Sequence, residues 1–89
     1  MRQKYLVKAG LNKYGRQLYL IGYVDDERGW DISAAPIPMS KRRCNEVIKN
    51  ATTDLPKIRE RFPTKYRDDI SFEIVEYTDE YNRNVLIEN

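Results

Sequence analysis

The chain has 89 residues, of which 40% are hydrophobic and 34% charged, and its formal net charge at neutral pH is +2. This length allows one modest hydrophobic core, so we expect a single domain over residues 1–89. The composition is typical of a globular protein and excludes disorder, and no apolar run approaches the roughly 20 residues that span a membrane.

Three runs at the start of the chain predict a meander of three strands. Residues 4–11 alternate between apolar and mixed faces, as a strand does. Residues 16–24 are apolar on both faces, which predicts a central strand covered on both sides. The acidic stretch 25–29, which ends in glycine, is typical of a hairpin turn, and residues 30–33 follow as a shorter third strand. Two prolines then predict a crossing loop over 34–39.

The next segment has the periodicity of an amphipathic helix. Apolar residues recur at helical spacing from Cys44 to Phe62. Ser40 is the expected N-cap, and Met39 before it is expected to pack on the first apolar residue of the helix. Pro56 removes one hydrogen bond and disfavours the helical conformation of the residue before it. We therefore expect a kink or a restart there, with Asp54 capping the second piece.

Pro63 is expected to end the helix, and two more strands complete the predicted order. Residues 70–77 alternate again, and residues 85–88 are a short apolar run that follows a turn. The sequence thus predicts an α+β fold, with an antiparallel β-sheet in the order β-β-β-α-β-β and one kinked or broken helix packed on one face.

Residue counts limit the possible chemistry. The chain has no histidine and one cysteine, Cys44, which excludes an internal disulfide, the usual zinc sites and nucleophilic pairs with histidine. The carboxylates of 25–27 and 68–69 could bind Mg²⁺ or act as an acid/base pair, but we expect them to solvate turns and strand edges. Cys44 lies on the apolar helical face, so we expect an inert buried thiol. No cofactor is predicted.

The first ten residues lack the apolar run of a signal peptide, and the single cysteine suits a reducing compartment. We therefore expect the protein in the cytoplasm of a bacterial host.

The small net charge conceals a strong segregation along the chain. Residues 41–67 have nine basic and three acidic side chains, whereas residues 68–89 have one basic and seven acidic. The two segments therefore have net charges of +6 and −6, an asymmetry that bears on partners and association rather than on the fold.

Three cations begin the predicted helix, where the helix dipole disfavours positive charge. Lys41, Arg42 and Arg43 could bind an anion together with the free amides of the helix start, or they could simply be solvated. A third explanation is that the acidic segment 68–88 neutralises them, either within one chain or from a second copy in a homodimer.

The run from Trp30 to Ile48, WDISAAPIPMSKRRCNEVI, follows the meander and resembles small phage and prophage proteins of the anti-CRISPR and anti-defence type. The resemblance covers residues 4–51 and implies a protein that blocks a host defence component. A second resemblance is to the three-stranded DNA-binding domain of some phage integrases, but residues 18–21 lack the basic, polar character that a DNA-reading strand needs. No functional residue is transferred from either resemblance.

We therefore expect a phage-encoded, non-enzymatic protein-binding module that inhibits a host defence protein. Interfaces favour Tyr, Trp and Arg as anchors, although core burial explains the tryptophan equally well. The alternative function is nucleic-acid binding through the basic segment 41–67. The predicted partner-binding residues are Tyr19, Tyr23, Trp30, Lys41, Arg42, Arg43 and Lys49.

Overall fold

The computed structural model describes residues 3–22, 29–67 and 69–78, which form one antiparallel sheet with one helix packed on it. The elements in chain order are β1 (Tyr5–Leu11), β2 (Gln17–Gly22), β3 (Trp30–Ser33), α1 (Lys41–Arg61) and β4 (Glu73–Glu76). The predicted α+β class is confirmed, and the order of these elements matches the prediction. The predicted last strand, residues 85–88, and the predicted turn residues 25–28 lie outside the described residues.

The sheet has the strand order β3-β2-β1-β4, and every neighbouring pair is antiparallel. Val7 in β1 is paired with Leu20 on one side and with Ile74 on the other, so these three side chains share a face. This face packs against the apolar residues of α1. Ile21 points to the opposite face and is also buried, which fits the prediction that β2 is a central strand with two apolar faces.

An extra residue in β1 changes the end of the first hairpin. Lys8 pairs with Tyr19, but the next recorded pair joins Leu11 to Gln17, so β1 has one more residue than β2 in this interval. Gly10 has φ +92°, a conformation that favours glycine, and its carbonyl accepts a hydrogen bond from the Gln17 side chain at 3.0 Å. This β-bulge breaks the simple alternation and leaves Leu11 exposed at the strand end.

The helix begins as the sequence predicts. The hydroxyl of Ser40 accepts a hydrogen bond from the backbone N–H of Arg43 at 3.1 Å, so the N-cap is confirmed. Met39 and Cys44 are both buried in the core cluster, as expected for a hydrophobic staple. At the other end α1 stops at Arg61, just before Pro63.

The helix continues through Pro56 without interruption, so the expected restart and the expected cap at Asp54 are wrong. The ring of Pro56 leaves the carbonyl of Thr52 without its helical donor. Both residues are exposed, so water can satisfy that carbonyl. On the other side of the helix Leu55 is buried in the core, and this packing keeps the helix against the sheet despite the missing hydrogen bond at Thr52.

Trp30 connects three parts of the fold. Its side chain is 0% exposed, and its indole Nε1–H donates a hydrogen bond to Oδ2 of Asp54 in α1 at 2.7 Å. The Tyr66 ring, in the segment after the helix, lies with its centroid 6.0 Å from that of Trp30. Strand β3, the helix and the following segment therefore meet at one buried indole, whose only polar group has a partner.

We expect Asp54→Ala to lower the free energy of unfolding by about 1–3 kcal/mol, because it leaves the buried indole N–H without its acceptor. Asp54→Asn keeps an acceptor oxygen and should lose less. The neighbouring exposed substitution Thr53→Ala serves as the control and should stay within about 0.5 kcal/mol of the parent. Urea unfolding measures all three variants, and equal midpoints for Asp54→Ala and the parent would contradict the role given to this hydrogen bond.

We expect Gly22→Ala to be destabilising by about 1–3 kcal/mol, because its Cβ would lie 3.1 Å from Cγ1 of the buried Val47. The same Cβ would meet the Arg43 guanidinium at 3.1 Å, but that side chain can shift more easily. In a Val47→Ala background, which removes the collision, the added cost of Gly22→Ala should fall by more than half. An equal cost in both backgrounds would show that close packing of the helix on Gly22 is not the cause.

Candidate functional site

Arg43, one of the predicted partner-binding cations, is part of the fold. Its guanidinium lies beside Gly22 and donates a hydrogen bond to the carbonyl of Gly29 at 3.3 Å. The same group forms an ion pair with Glu46 at 3.3 Å. These contacts join the helix start to the sheet, so they explain one of the three cations without an external anion.

The other predicted cations of the helix lie at the surface. Nζ of Lys41 is 5.9 Å from the centroid of the Tyr5 ring, within reach of a weak cation–π interaction. Arg42 and Lys49 are exposed and lie opposite the buried stripe of α1. Exposed acidic side chains at 46 and 60 fall on the same outer side of the helix, so the positive charge there is diluted.

The two predicted aromatic anchors that the structure describes, Trp30 and Tyr19, do not join these cations in one surface. Trp30 is fully buried, and its indole fills the core between sheet and helix, so core burial is the one of its two sequence-based explanations that the fold supports. Tyr19 is half-buried. Its neighbour Leu20 packs toward the helix, so Tyr19 points to the opposite face of the sheet. Tyr23 lies outside the described residues.

A groove of about 300 Å³ opens at the end of the sheet where the first hairpin turns. Its walls come from three places in the chain: the β1–β2 hairpin, strand β3 and the segment that follows the helix. The lining is mainly apolar. The residues that form it are Leu11, Asn12, Lys13, Leu18, Ile32, Thr64, Lys65, Tyr66, Arg67 and Ile70.

Three cations among the described residues lie at the rim of this groove, and two of them are within cation–π distance of aromatic rings. Nζ of Lys65 lies 5.6 Å from the Tyr66 ring centroid and 5.9 Å from that of Phe62. Nζ of Lys13 lies 5.1 Å from the Tyr14 ring centroid. Arg67 differs from these two, because Nε and Nη2 each donate to a carboxylate oxygen of Asp69 at 3.0 Å. Among the described lining residues, the lysines are therefore the cations that have no carboxylate partner in the groove.

Large apolar side chains remain exposed beside the groove. Leu11 is 51% exposed, Tyr14 81% and Phe62 54%. The two rings are the ones that contact the rim lysines, so they belong to the same end of the molecule. We call the groove together with Leu11, Tyr14 and Phe62 the groove surface.

Two features of the described residues bear on catalysis. Within them no three histidine, cysteine, aspartate or glutamate side chains are grouped closely enough to hold a metal ion. The one cysteine, Cys44, is buried, and burial raises the pKa of its thiol above the ordinary value while a backbone hydrogen bond offsets part of that shift. A buried thiol with a raised pKa is a poor nucleophile.

In the part of the chain that the structure describes, no helix combines the length and the apolar character needed to cross a bilayer.

Comparison with protein-family models, with curated proteins and with solved structures found no match to this chain.

The groove was missed in the sequence because its lining residues are far apart along the chain. Regular alternation would group Leu11 with Tyr5, Val7 and Ala9 on one face of β1, but the bulge interrupts that alternation and Leu11 is exposed. Lys65 and Tyr66 belong to the basic and aromatic run after the helix, which was the one available signal. The composition of this run is typical of an interface, but it does not indicate that the first hairpin and β3 form the other walls of the groove.

We expect the Cys44 thiol to react with a small aromatic disulfide reagent at least about a hundredfold more slowly in the folded protein than in urea, because reaction requires local opening of the core. The reaction is followed by absorbance at pH 8, and Cys44→Ala gives the background. Similar rates in both conditions would show that the thiol is accessible.

Proposed function

We propose that this chain is a non-enzymatic protein-binding module that contacts its partner at the groove surface. The observation that carries this proposal is the exposure of Leu11, Tyr14 and Phe62 around an apolar groove. Exposed apolar side chains that lie singly are common, but a group beside a concave apolar surface is typical of interaction sites.

The composition of the surface also supports a protein partner. Tyrosine, phenylalanine and leucine supply contact area, and the rim lysines supply charge at the periphery. This arrangement resembles the apolar centre and polar rim of protein interfaces. The sequence-based hypothesis of a phage-encoded inhibitor of a host defence protein adds a partner to the same proposal. Such an inhibitor would use the groove surface to occlude a surface of its target.

The predicted surface on the helix gives the second candidate function. Arg42 and Lys49 are exposed on the outer side of α1, where a nucleic-acid backbone could meet them. Glu46 and Glu60 on that side weaken this proposal. A gel shift with duplex and single-stranded DNA and RNA at low salt tests it: retardation that disappears as salt rises supports nucleic-acid binding, and free migration at tens of micromolar protein removes it.

We expect a photoreactive benzoyl-phenylalanine at position 14 or 62 to crosslink a discrete partner in a bacterial lysate. The same group at position 57, which is exposed on α1, is the matched control and should not give that adduct. Both groove positions are already aromatic, so the substitution changes the surface little. Adducts are separated by gel and identified by mass spectrometry.

Identical adducts from all three positions, or no adduct from positions 14 and 62 with protein shown to be folded, would argue against the groove surface as the binding site. Adducts from position 57 alone would move the site to the helix.

A further inference from the structure

We propose that the groove binds an acidic peptide segment that inserts one bulky apolar side chain between flanking carboxylates. This inference rests on the proposed function and names the chemistry of the partner segment. It follows from the groove's floor, its size and the sign of charge at its rim.

The floor of the groove is built for an apolar side chain. Leu18 in β2 and Ile32 in β3 contribute from neighbouring strands, and Ile70 contributes from the segment before β4. A volume of about 300 Å³ is at the lower limit of pockets that hold drug-sized molecules. One aromatic or leucine side chain from a partner would fill much of this space and bury surface that is otherwise wet.

The rim selects the charge of the occupant. The lining residues of the described chain include Lys13, Lys65 and Arg67 and no carboxylate. Asp69 forms an ion pair with Arg67, so among the described lining residues the positive charge available to an occupant comes from the two lysine ammonium groups. Lys13 belongs to the hairpin turn and Lys65 to the segment after the helix, so the two lie on different walls of the groove. Carboxylates on both sides of an inserted apolar residue would each find a cation.

A peptide fits this site better than a nucleic acid does. Base recognition uses stacking on aromatic rings or hydrogen bonds to base edges. Among the described lining residues Tyr66 is the single aromatic, and its ring already packs near Trp30. The rest of the apolar lining is aliphatic, from Leu11, Leu18, Ile32 and Ile70, and can do neither. The exposed Tyr14 and Phe62 extend the apolar surface beyond the groove, as an interface with a chain segment requires.

The test uses three synthetic peptides of one length on a Gly/Ser scaffold. The first has a central Phe flanked by four Glu, the second replaces the four Glu with Lys, and the third replaces the Phe with Ala. Each is titrated to millimolar concentration into the labelled full-length protein, and amide shifts are followed by NMR. We expect the first peptide alone to shift the amides of Leu18, Ile32 and Tyr66, and the shifts to weaken as salt is raised.

A matched pair of charge variants then locates the effect. We expect K13E/K65E to weaken binding of the Glu–Phe peptide by roughly tenfold, because reversal turns two attractions into repulsions. K49E/K57E makes the same change of net charge on the exposed side of α1 and should leave binding within about twofold of the parent, since separated exposed charges are screened.

Several results would overturn the inference. Equal binding of the Lys–Phe peptide, an equal effect of the two charge variants, or no shift at the groove with any peptide would each do so. Self-association that depends on Lys13 and Lys65 in sedimentation would identify a second copy of the chain as the occupant instead. If the photo-crosslinks at positions 14 and 62 persist while the Glu–Phe peptide fails to bind, the protein-binding function stands and only the chemistry of its ligand is wrong.

Discussion

The structure depends on how one helix covers one face of a four-stranded sheet around the indole of Trp30. The helix contributes an apolar stripe that includes Cys44, Val47, Ala51 and Leu55, all buried. A tryptophan in such a core brings a large apolar area together with one N–H group, and that group must have an acceptor because water cannot reach it. Asp54 supplies the acceptor from the side of the helix, so the core can hold the indole without leaving a polar group unsatisfied.

This core also positions the candidate binding site. The Trp30 ring packs near Tyr66, which lines the groove, and Ile32 lies two residues farther along the same strand and face. One side of the groove therefore rests directly on the core. The opposite side is the first hairpin, where Asn12 accepts hydrogen bonds from the backbone N–H groups of Tyr14 and Arg16 at 2.8 and 2.9 Å. The candidate surface, formed by strand residues and by loops, thus rests on a rigid scaffold.

Local patterns in the sequence were sufficient to predict much of the fold. Alternation predicted the strands, helical spacing predicted α1, and the chemistry of Ser40 and Met39 predicted how the helix begins. The alternative of a helix restart at Pro56 was wrong, because the local preference of proline was outweighed by the burial of apolar residues on both sides of it along the helix. The acceptor of the Trp30 indole N–H could not be predicted either, because Asp54 is 24 residues away in the chain, where no short-range pattern could indicate it.

The candidate site could not be predicted in the same way. Its floor combines residues of two strands and a later segment, so it exists only once strand order and register are fixed. The bulge at Gly10 makes the prediction harder, because its extra residue interrupts the alternation of β1 just before Leu11, which lines the groove. The tyrosines and cations of the sequence favoured a binding surface at the start of the helix, whereas the groove lies at the hairpin end of the sheet.

The buried position of Trp30 at the centre of the core is tested most directly by the exchange of its indole N–H with water, observed by NMR. The chain has a single tryptophan, so its one indole signal needs no further assignment. We expect the indole proton to exchange at least about a hundredfold more slowly than that of free indole and to show cross-peaks to the ring of Tyr66. An indole proton that exchanges as fast as in an unfolded peptide, or that shows no contact with Tyr66, would contradict the proposed core and with it the support for the groove.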